Sequence, residues 1–282
     1  GGVDGTSGSS TAAATAAAVN LDHFAFATRH DGPGVSNIPK DIPEAKAEPE
    51  SDSWMDAVDA EVESHRINKT FDMVPDEGQP TIGSLMIFDR KADHAGNETR
   101  KKARWAARGD QRQTTSCDTF SATPNMTTIR FVLVMAVLFS LTTRHLDVVT
   151  AFLIPFLKQP VWMRPPRGMR LPRGYILRLN KCIYGLRQAS RRWYENLHDT
   201  LTAMGFTPTD FDPCLYIRID HRGRVYLVFH VDDILIAGPT AVVELVCVAL
   251  KMAYRMKDMG APTFFVGIRV ACGLSRGVLT LT

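Results

Sequence analysis

The stretch VYLVFHVDDILIAG, residues 225–238, sets two adjacent aspartates, Asp232 and Asp233, in an otherwise apolar sequence. Residues 224–230 and 234–237 are typical of β-strands, so we expect a hairpin with the acid pair at its turn. Turn chemistry alone often places an aspartate there. Two adjacent carboxylates nevertheless repel each other by about 1 to 4 kcal/mol at 4 Å separation, depending on the effective dielectric. A divalent cation would remove that cost.

A third acid, Asp147, lies in the apolar segment LDVVTAFL, residues 146–153, within a predicted strand over 144–149. If that strand neighbours the hairpin, three carboxylates meet at one edge of a sheet. Ligands made only of oxygen select Mg²⁺ or Mn²⁺ over Zn²⁺, and such sites commonly hold two ions that serve phosphoryl transfer. Whether the three acids meet depends on the tertiary fold.

The remaining periodicity predicts an α+β fold with helices on one face of an antiparallel sheet. The predicted helices are 55–67, 129–141, 188–204 and 241–255, and a last strand is predicted over 263–270. Asp52 or Ser53 is the expected cap of the first helix, and Thr127 or Thr128 that of the second. The second is apolar all round, which predicts burial on all sides. Five prolines predict loop and edge structure over 155–172.

Composition is that of a globular protein, with 282 residues, 45% hydrophobic and 22% charged. Five cysteines without a CxxC pair argue against a zinc ribbon and favour a reducing, intracellular setting. The longest apolar run, residues 131–141, is shorter than the about 20 residues that cross a bilayer. Residues 1–50 are small, polar and proline-punctuated, which predicts a disordered linker without core residues. The first residue is Gly, so we expect an internal piece of a longer protein.

Charge is distributed unevenly around a net value of +3. Residues 41–63 carry nine acids and one lysine, whereas residues 158–192 carry ten bases and no acid. Residues 89–112 carry eight bases against four acids. Clustered bases suit nucleic acid or a nucleoside triphosphate, although a solvated face is the alternative for any single stretch. Arg187, Arg191 and Arg192 begin a predicted helix, where positive charge is unfavourable, and this favours an anionic partner.

Several motifs in this order resemble one family. They are WMDAVDAEVESHRINKTFDMVP (54–75), KKARWAARG (101–109), LDVVTAFL (146–153), KCIYGLRQASRRWY (181–194), GFTPTDFDPCLY (205–216), FHVDDILIAG (229–238) and MKDMGAPTFFVGIRV (256–270). Over residues 54–270 the chain is identified as a member of the reverse transcriptases of copia-type long-terminal-repeat retrotransposons. Each motif alone is modest, but the ordered set is specific.

The resemblance implies the fingers and palm of a right-hand polymerase. We expect a linker at 1–50, fingers at 51–140, a palm at 141–270 with a further fingers segment at about 155–190, and a truncated end at 271–282 without a thumb. It also implies an antiparallel palm sheet backed by helices. RNase H and integrase regions of a parent polyprotein are expected to be missing. A cytoplasmic virus-like particle or the nucleus is the location that the family implies.

The resemblance also implies roles for single residues. Asp147, Asp232 and Asp233 would be catalytic and would bind two Mg²⁺ ions, or Mn²⁺, together with the Val148 carbonyl. Nucleotide binding would fall to Lys102 and Arg104 on the triphosphate, to Phe152 as the aromatic gate against a 2′-hydroxyl, and to Gln188 in the pocket. The bases that would contact nucleic acid are Arg187, Arg191 and Arg192.

The implied activity is RNA-directed DNA synthesis from deoxynucleoside triphosphates on a primed RNA or DNA template, with no membrane partner. Four departures from the family pattern indicate a drifting copy: His230 before VDD, Ile154-Pro155 after TAFL, Trp105-Ala106 after KAR, and no Trp or Lys at 85–88. A non-catalytic nucleic-acid-binding remnant is therefore one alternative. Another is a different two-metal enzyme such as a nuclease, which would need His230 or His145 near the metals.

Overall fold

A computed structural model of the chain describes residues 38–92, 97–111, 121–273 and 278–281. Helices and mainly antiparallel sheets are mixed in these ranges, which confirms the α+β class. The helices are α1 (Ile42–Ala47), α2 (Ser51–Asn68), α3 (Met126–Leu138), α4 (Ala189–Ala203) and α5 (Thr240–Ala253). The strands are β1 (Phe71–Pro75), β2 (Thr81–Ile82), β3 (Ser84–Ala92), β4 (Glu98–Ala107), β5 (Thr142–Val148), β6 (Phe156–Met163), β7 (Tyr175–Lys181), β8 (Thr207–Pro208), β9 (Leu215–Asp220), β10 (Gly223–His230), β11 (Asp233–Gly238), β12 (Met256–Gly260), β13 (Phe264–Phe265), β14 (Ile268–Gly273) and β15 (Val278–Leu281).

The largest sheet has six strands in the order β12-β5-β11-β10-β9-β8, with antiparallel neighbours throughout. The predicted hairpin is present as β10 and β11, and its turn consists of Val231 and Asp232. Strand β5, which carries Asp147, lies directly beside β11. This neighbour relation links sequence segments that are far apart, and it is the feature that positions the candidate site.

Helices cover both faces of this sheet, so the prediction of helices on one face is wrong. Leu146, Val148 and Ile234 face a core that includes Trp193 and Leu197 of α4, together with the buried side of α5. The alternate residues of β10 and β11 face a second core formed with α3 and with β13 and β14. The sheet is therefore central because each strand presents apolar side chains to both sides.

A smaller region contains a four-stranded sheet in the order β1-β7-β6-β2 and the separate β3–β4 hairpin. Its core includes Trp54 of α2 and Trp105 of β4, both almost fully buried. Ile42 and Ala45 of α1 are buried in the same core. The expectation that residues 1–50 bury nothing is therefore wrong for residues 38–50, whereas residues 1–37 lie outside the described ranges.

Two further local predictions are wrong. Residues 156–163, predicted as loop and edge structure, form β6, which lies between β7 and the short β2 and accommodates Pro160 at a register shift where the ladder with β7 is interrupted. The strand predicted over 263–270 is instead two short strands, β13 and β14, that pair through a turn at Val266 and Gly267. In both places, a backbone irregularity interrupts regular pairing.

The prediction that helix α3 is buried on all sides is wrong. Ile129, Val132 and Leu133 are buried, but Phe131 and Leu138 are 42% and 69% exposed. Its first turn is also capped differently from the prediction. Asn125 precedes the helix, and the carboxylate of Asp212 accepts hydrogen bonds from the backbone amide of Asn125 and from the Thr128 hydroxyl. Helix α2 begins after Glu50, which makes no side-chain capping bond. No helix in the described ranges is long and apolar enough for a membrane span.

Candidate active site

The three aspartates meet where β5 and β11 run side by side. Asp233 is the direct antiparallel partner of Asp147, and Asp232 occupies the turn immediately before it. Residues directly opposite each other in an antiparallel pair share a face of the sheet. The backbone amide of Val148 donates to the carbonyl of Asp232 at 2.8 Å, which fixes the turn against the end of β5. The pairing of β5 with β11 therefore brings Asp147 beside acids that lie 85 and 86 positions later in the sequence.

Asp232 feels the other two carboxylates electrostatically. Its side chain is open to solvent at the tip of the turn, yet its pKa is raised, first by partial desolvation and then by the negative charges of Asp233 and Asp147. The positive charge of Lys102 acts in the opposite direction on the same pKa. The acid-bearing turn and β4 are therefore near enough for Lys102 to influence Asp232 electrostatically.

Asp233 is engaged differently from Asp232. Its Oδ1 lies 2.7 Å from Nε2 of His145, which is two residues before Asp147 on β5. The His145 ring also packs edge-on against Phe265, with 5.1 Å between ring centroids. Across the described ranges, no three His, Cys, Asp or Glu side chains are gathered so that they could hold a metal ion. The structure thus brings the predicted acids together in register but ties one of them to a histidine.

The acid-bearing turn has an unusual backbone. Val231 adopts φ of 55°, a left-handed conformation that is costly for a β-branched residue. Trp193 of α4 donates its indole N–H to the Val231 carbonyl at 2.6 Å and holds this conformation from below. Strained positions of this kind cost about 1 to 3 kcal/mol and persist where the surroundings fix them. The turn is therefore a constructed feature rather than a loose loop.

Strand β4 supplies the cationic side of the site. Its alternate residues separate two roles: Lys101 reaches Glu50 and the Trp54 ring, whereas Lys102 and Arg104 lie on the opposite face. Burial and the neighbouring charge of Arg104 lower the pKa of Lys102. The buried Nε of Arg104 has no hydrogen-bond partner. Two cations held together in this way favour an anionic ligand.

Phe152 and Tyr184 connect the end of β5, which carries Asp147, with β4. Phe152 sits in the short 3-10 turn Ala151–Leu153 after β5 and packs against both the core of the large sheet and that of the smaller region. Its ring meets that of Tyr184 edge-to-face, with centroids 5.3 Å apart. The guanidinium of Arg104 lies 5.7 Å from the Tyr184 ring centroid. The predicted gate residue is thus in contact with the cationic strand through Tyr184.

The predicted pocket and nucleic-acid residues lie at the start of α4. Gln188 is buried and immediately precedes the helix. Arg187 is exposed, but Arg191 and Arg192 both bind Glu195 one turn further on. Arg191 and Arg192 share this one carboxylate, so the pair keeps a net positive charge, and an anionic partner for the three arginines stays a prediction.

Part of the charge in the acidic and basic stretches is likewise paired within the molecule. Asp41 accepts a bond from Arg167, and Glu50 bridges Arg90 and Lys101. The acidic stretch thus neutralises members of both basic stretches through the tertiary fold. Clustered charge in the sequence consequently overstates the cationic surface that is open to a polyanion.

Two residues at the site, Lys257 and Tyr184, were assigned no role from the sequence. His145 was named only for the nuclease alternative, and it lies on a strand with neighbours on both sides, against Asp233. Lys257 of β12 is the cross-strand partner of Asp147 on the side opposite Asp233, so a cation flanks the acids. Tyr184 lies in the motif KCIYGLRQASRRWY (181–194), but the sequence assigned no role to this tyrosine. A signal existed in the neighbouring Gly185, because a glycine often marks a close backbone approach.

Comparison with known proteins gives a family match and several similar sequences. The family described as "Reverse transcriptase (RNA-dependent DNA polymerase)" matches residues 68–280. Similar sequences include a Retrovirus-related Pol polyprotein from transposon RE2 of Arabidopsis thaliana, 36% identical over 233 residues, which cover 79% of this chain and 16% of the relative. Another is the corresponding polyprotein from transposon TNT 1-94 of Nicotiana tabacum, 30% identical over 239 residues, which cover 82% of this chain and 18% of the relative. The chain thus spans about a sixth of the length of these relatives.

Proposed function

Because this chain belongs to the reverse transcriptase family of copia-type retrotransposons, we propose that it is the catalytic part of an RNA-directed DNA polymerase. In this proposal the six-stranded sheet with its helices is the palm, and the β3–β4 hairpin belongs to the fingers. The substrates are a primed RNA or DNA template and deoxynucleoside triphosphates. The observation that carries the proposal is the pairing of Asp147 with Asp233, with Asp232 in the adjoining turn and Lys102 facing it.

The donor set fits a hard divalent cation such as Mg²⁺. Its side-chain ligands are carboxylates. The pKa of Asp232 is raised first by desolvation and then by repulsion from Asp233 and Asp147, and a cation would relieve that repulsion. Asp147 and Asp232 with the Val148 carbonyl would hold the metal, and Asp233 could join them only after leaving His145. Bound there, two Mg²⁺ ions would supply a lowered pKa of the primer 3′-hydroxyl and charge neutralisation on the leaving pyrophosphate.

The side chains of the protein would bind and orient the reactants. Lys102 and Arg104 would hold the triphosphate, as a point charge and a planar fork respectively. Phe152 would lie against the sugar and exclude a 2′-hydroxyl, and Gln188 would line the nucleotide pocket. The primer oxygen then forms a bond to the α-phosphorus while the bond to the pyrophosphate breaks. Positioning and fixed charge would account for most of the acceleration.

Primer extension tests the proposal directly. We expect the 282-residue chain to extend oligo(dT) on poly(rA) in the presence of Mg²⁺ or Mn²⁺. Asp232→Asn should lose extension by about 10²-fold or more while it keeps primer-template binding, because one charge near the reacting phosphate is removed. Asp210→Asn, at an exposed position outside the site, is the matched control and should extend normally.

One observation favours a second candidate, a nucleic-acid-binding remnant that does no chemistry. Asp233 is bonded to His145, and the described residues lack a gathered three-ligand group. If the unaltered chain and Asp232→Asn bind primer-template equally and neither extends it with either metal, the remnant is the correct function. The same outcome would exclude a nuclease only if the template also stays intact.

A further inference from the structure

Tyr184 connects two residues that the proposed function assigns to nucleotide binding. It makes the edge-to-face contact with Phe152, and Arg104 stands over its ring. Aromatic pairs of this geometry restrict where the partner ring can go. The Tyr184 side chain is therefore placed to fix the position of Phe152 relative to β4.

The backbone at Tyr184 is fixed as firmly as its ring. The Ala107 amide donates to the Tyr184 carbonyl at 2.8 Å, and residues 106 and 184 form an isolated parallel bridge. The neighbouring Gly185 permits this approach, because a methyl group there would lie 2.1 Å from the Ala107 carbonyl oxygen. The segment is thus fastened to the end of the strand that carries Arg104.

The electrostatics of Tyr184 keep its hydroxyl neutral. Burial raises the pKa of Tyr184 to about 12, with the negative charges of Glu61 and Asp232 acting in the same direction and Arg104 opposing them. The ring therefore remains an uncharged aromatic surface across the working range of pH.

We propose that Tyr184 is the positioning residue that sets sugar discrimination by holding the Phe152 ring in place. This proposal rests on the proposed polymerase function and on the gate role of Phe152. The edge-to-face contact restrains the Phe152 ring. The hydrogen bond from the Ala107 amide to the Tyr184 carbonyl fixes Tyr184 beside the strand that carries Arg104. Removal of the Tyr184 ring lets Phe152 turn away, so a ribonucleotide is tolerated while the triphosphate is still held.

The first experiment measures kcat/KM for a deoxynucleotide and for the matching ribonucleotide on a primed template. Tyr184→Leu should lower the deoxy-over-ribo ratio by about two- to tenfold, the factor that loss of one aromatic pair allows. Tyr184→Phe keeps the ring and should preserve the ratio. Tyr175→Leu, at an exposed tyrosine on β7, is the matched control and should also preserve it. Phe152→Val should lower the ratio at least as far as Tyr184→Leu.

An unchanged ratio in Tyr184→Leu together with a lowered ratio in Phe152→Val would overturn the positioning role. If Phe152→Val itself leaves the ratio unchanged, the gate assignment and the role of Tyr184 fail, but the polymerase function stands. If Tyr184→Leu does not fold, Tyr184→Met, which fills a similar volume with a flexible chain, serves in the same assay.

A second experiment does not depend on activity. Fluorine at the para position of Phe152 gives a ¹⁹F resonance in the full chain. Tyr184→Leu should move and narrow this resonance, whereas Tyr184→Phe and Tyr175→Leu should leave it in place. A resonance indifferent to Tyr184→Leu would refute the contact. Should the unaltered chain fail to extend a primer while the resonance responds as expected, the polymerase function fails and the ring contact stands.

Discussion

At the residue scale, the two adjacent aspartates of the turn differ in surroundings. Asp232 is open at the tip and repelled by its neighbours, whereas Asp233 is bonded to His145. Identical side chains one position apart thus have different partners because successive residues leave the turn in different directions. This asymmetry leads us to assign the metal first to Asp147 and Asp232. Asp233, the second acid of the adjacent pair, contributes negative charge.

The asymmetry predicts how Asp232→Asn affects stability. Since the folded pKa of Asp232 is raised, the ionised form opposes folding, and this cost appears as the pH rises above the ordinary pKa and is complete above the raised folded pKa. Without metal, Asp232→Asn should therefore raise Tm by up to about 4 °C, the shift for about 1 kcal/mol of screened repulsion. Differential scanning calorimetry in EDTA measures this.

Mg²⁺ should reverse the order of the Tm values of the unaltered chain and of Asp232→Asn. A metal present at ten times its Kd stabilises the unaltered chain by about 1.4 kcal/mol, whereas Asp232→Asn has lost a ligand and should gain less. Asp210→Asn should respond to Mg²⁺ like the unaltered chain. Equal Mg²⁺ responses in all three proteins would mean that Asp232 does not bind the metal.

At the scale of elements, the site depends on how β4 is joined to the segment before α4. The junction consists of the Ala107 bond to Tyr184 and the approach of Gly185, whose φ is +81°. Gly109 contributes from the other side, since a methyl group there would lie 2.3 Å from the Gly185 carbonyl oxygen. Two glycines in contact thus allow two backbones to pack without side chains between them.

Gly185→Ala should therefore lower the free energy of unfolding by more than the cost of the left-handed backbone conformation alone. Gly174 provides the matched control, because its φ is +78° but a methyl group there would meet nothing within 4 Å. Gly174→Ala should cost about 1 to 2 kcal/mol of unfolding free energy from the left-handed backbone. Gly185→Ala should cost about 1 to 3 kcal/mol more from the clash, as measured by urea unfolding. Equal costs would indicate that the junction is loose.

At the scale of the whole molecule, charge is arranged by tertiary pairing. Arg167 is bound to Asp41 and Arg192 to Glu195, while Arg187 is exposed near the buried Gln188. This long-range ion pair joins Asp41, in the acidic stretch, to a base 126 positions later. The surface open to nucleic acid is consequently smaller than the count of bases implies.

Salt dependence of primer-template binding tests this view. Each phosphate contact contributes about 0.9 to the slope of log K against log salt concentration on duplex. Arg187→Ala should reduce the slope by about that amount if Arg187 contacts a phosphate. Arg167→Ala should leave the slope unchanged, because its guanidinium is already bound to Asp41. Fluorescence anisotropy at several salt concentrations gives both slopes. A larger change for Arg167→Ala would contradict the arrangement.

Local sequence determined much of the large sheet and its chemistry. The apolar runs around Asp147 and around Asp232 predicted the strands and the acid-bearing turn, because strand propensity and turn chemistry act over a few residues. The periodicity of residues 188–204 predicted α4, with Trp193 on its buried face. Motif order also indicated the family, which the matched residues 68–280 confirm.

Tertiary structure alone decided which segments meet. The partner of Asp147, the cap that Asp212 gives to α3 and the pairing of Arg167 with Asp41 all join positions that are distant in sequence. Helices on both faces of the sheet and the contact of Tyr184 with Phe152 belong to the same class. Short-range periodicity carries no information on such contacts, because they depend on the summed packing of elements that each sequence window describes only singly.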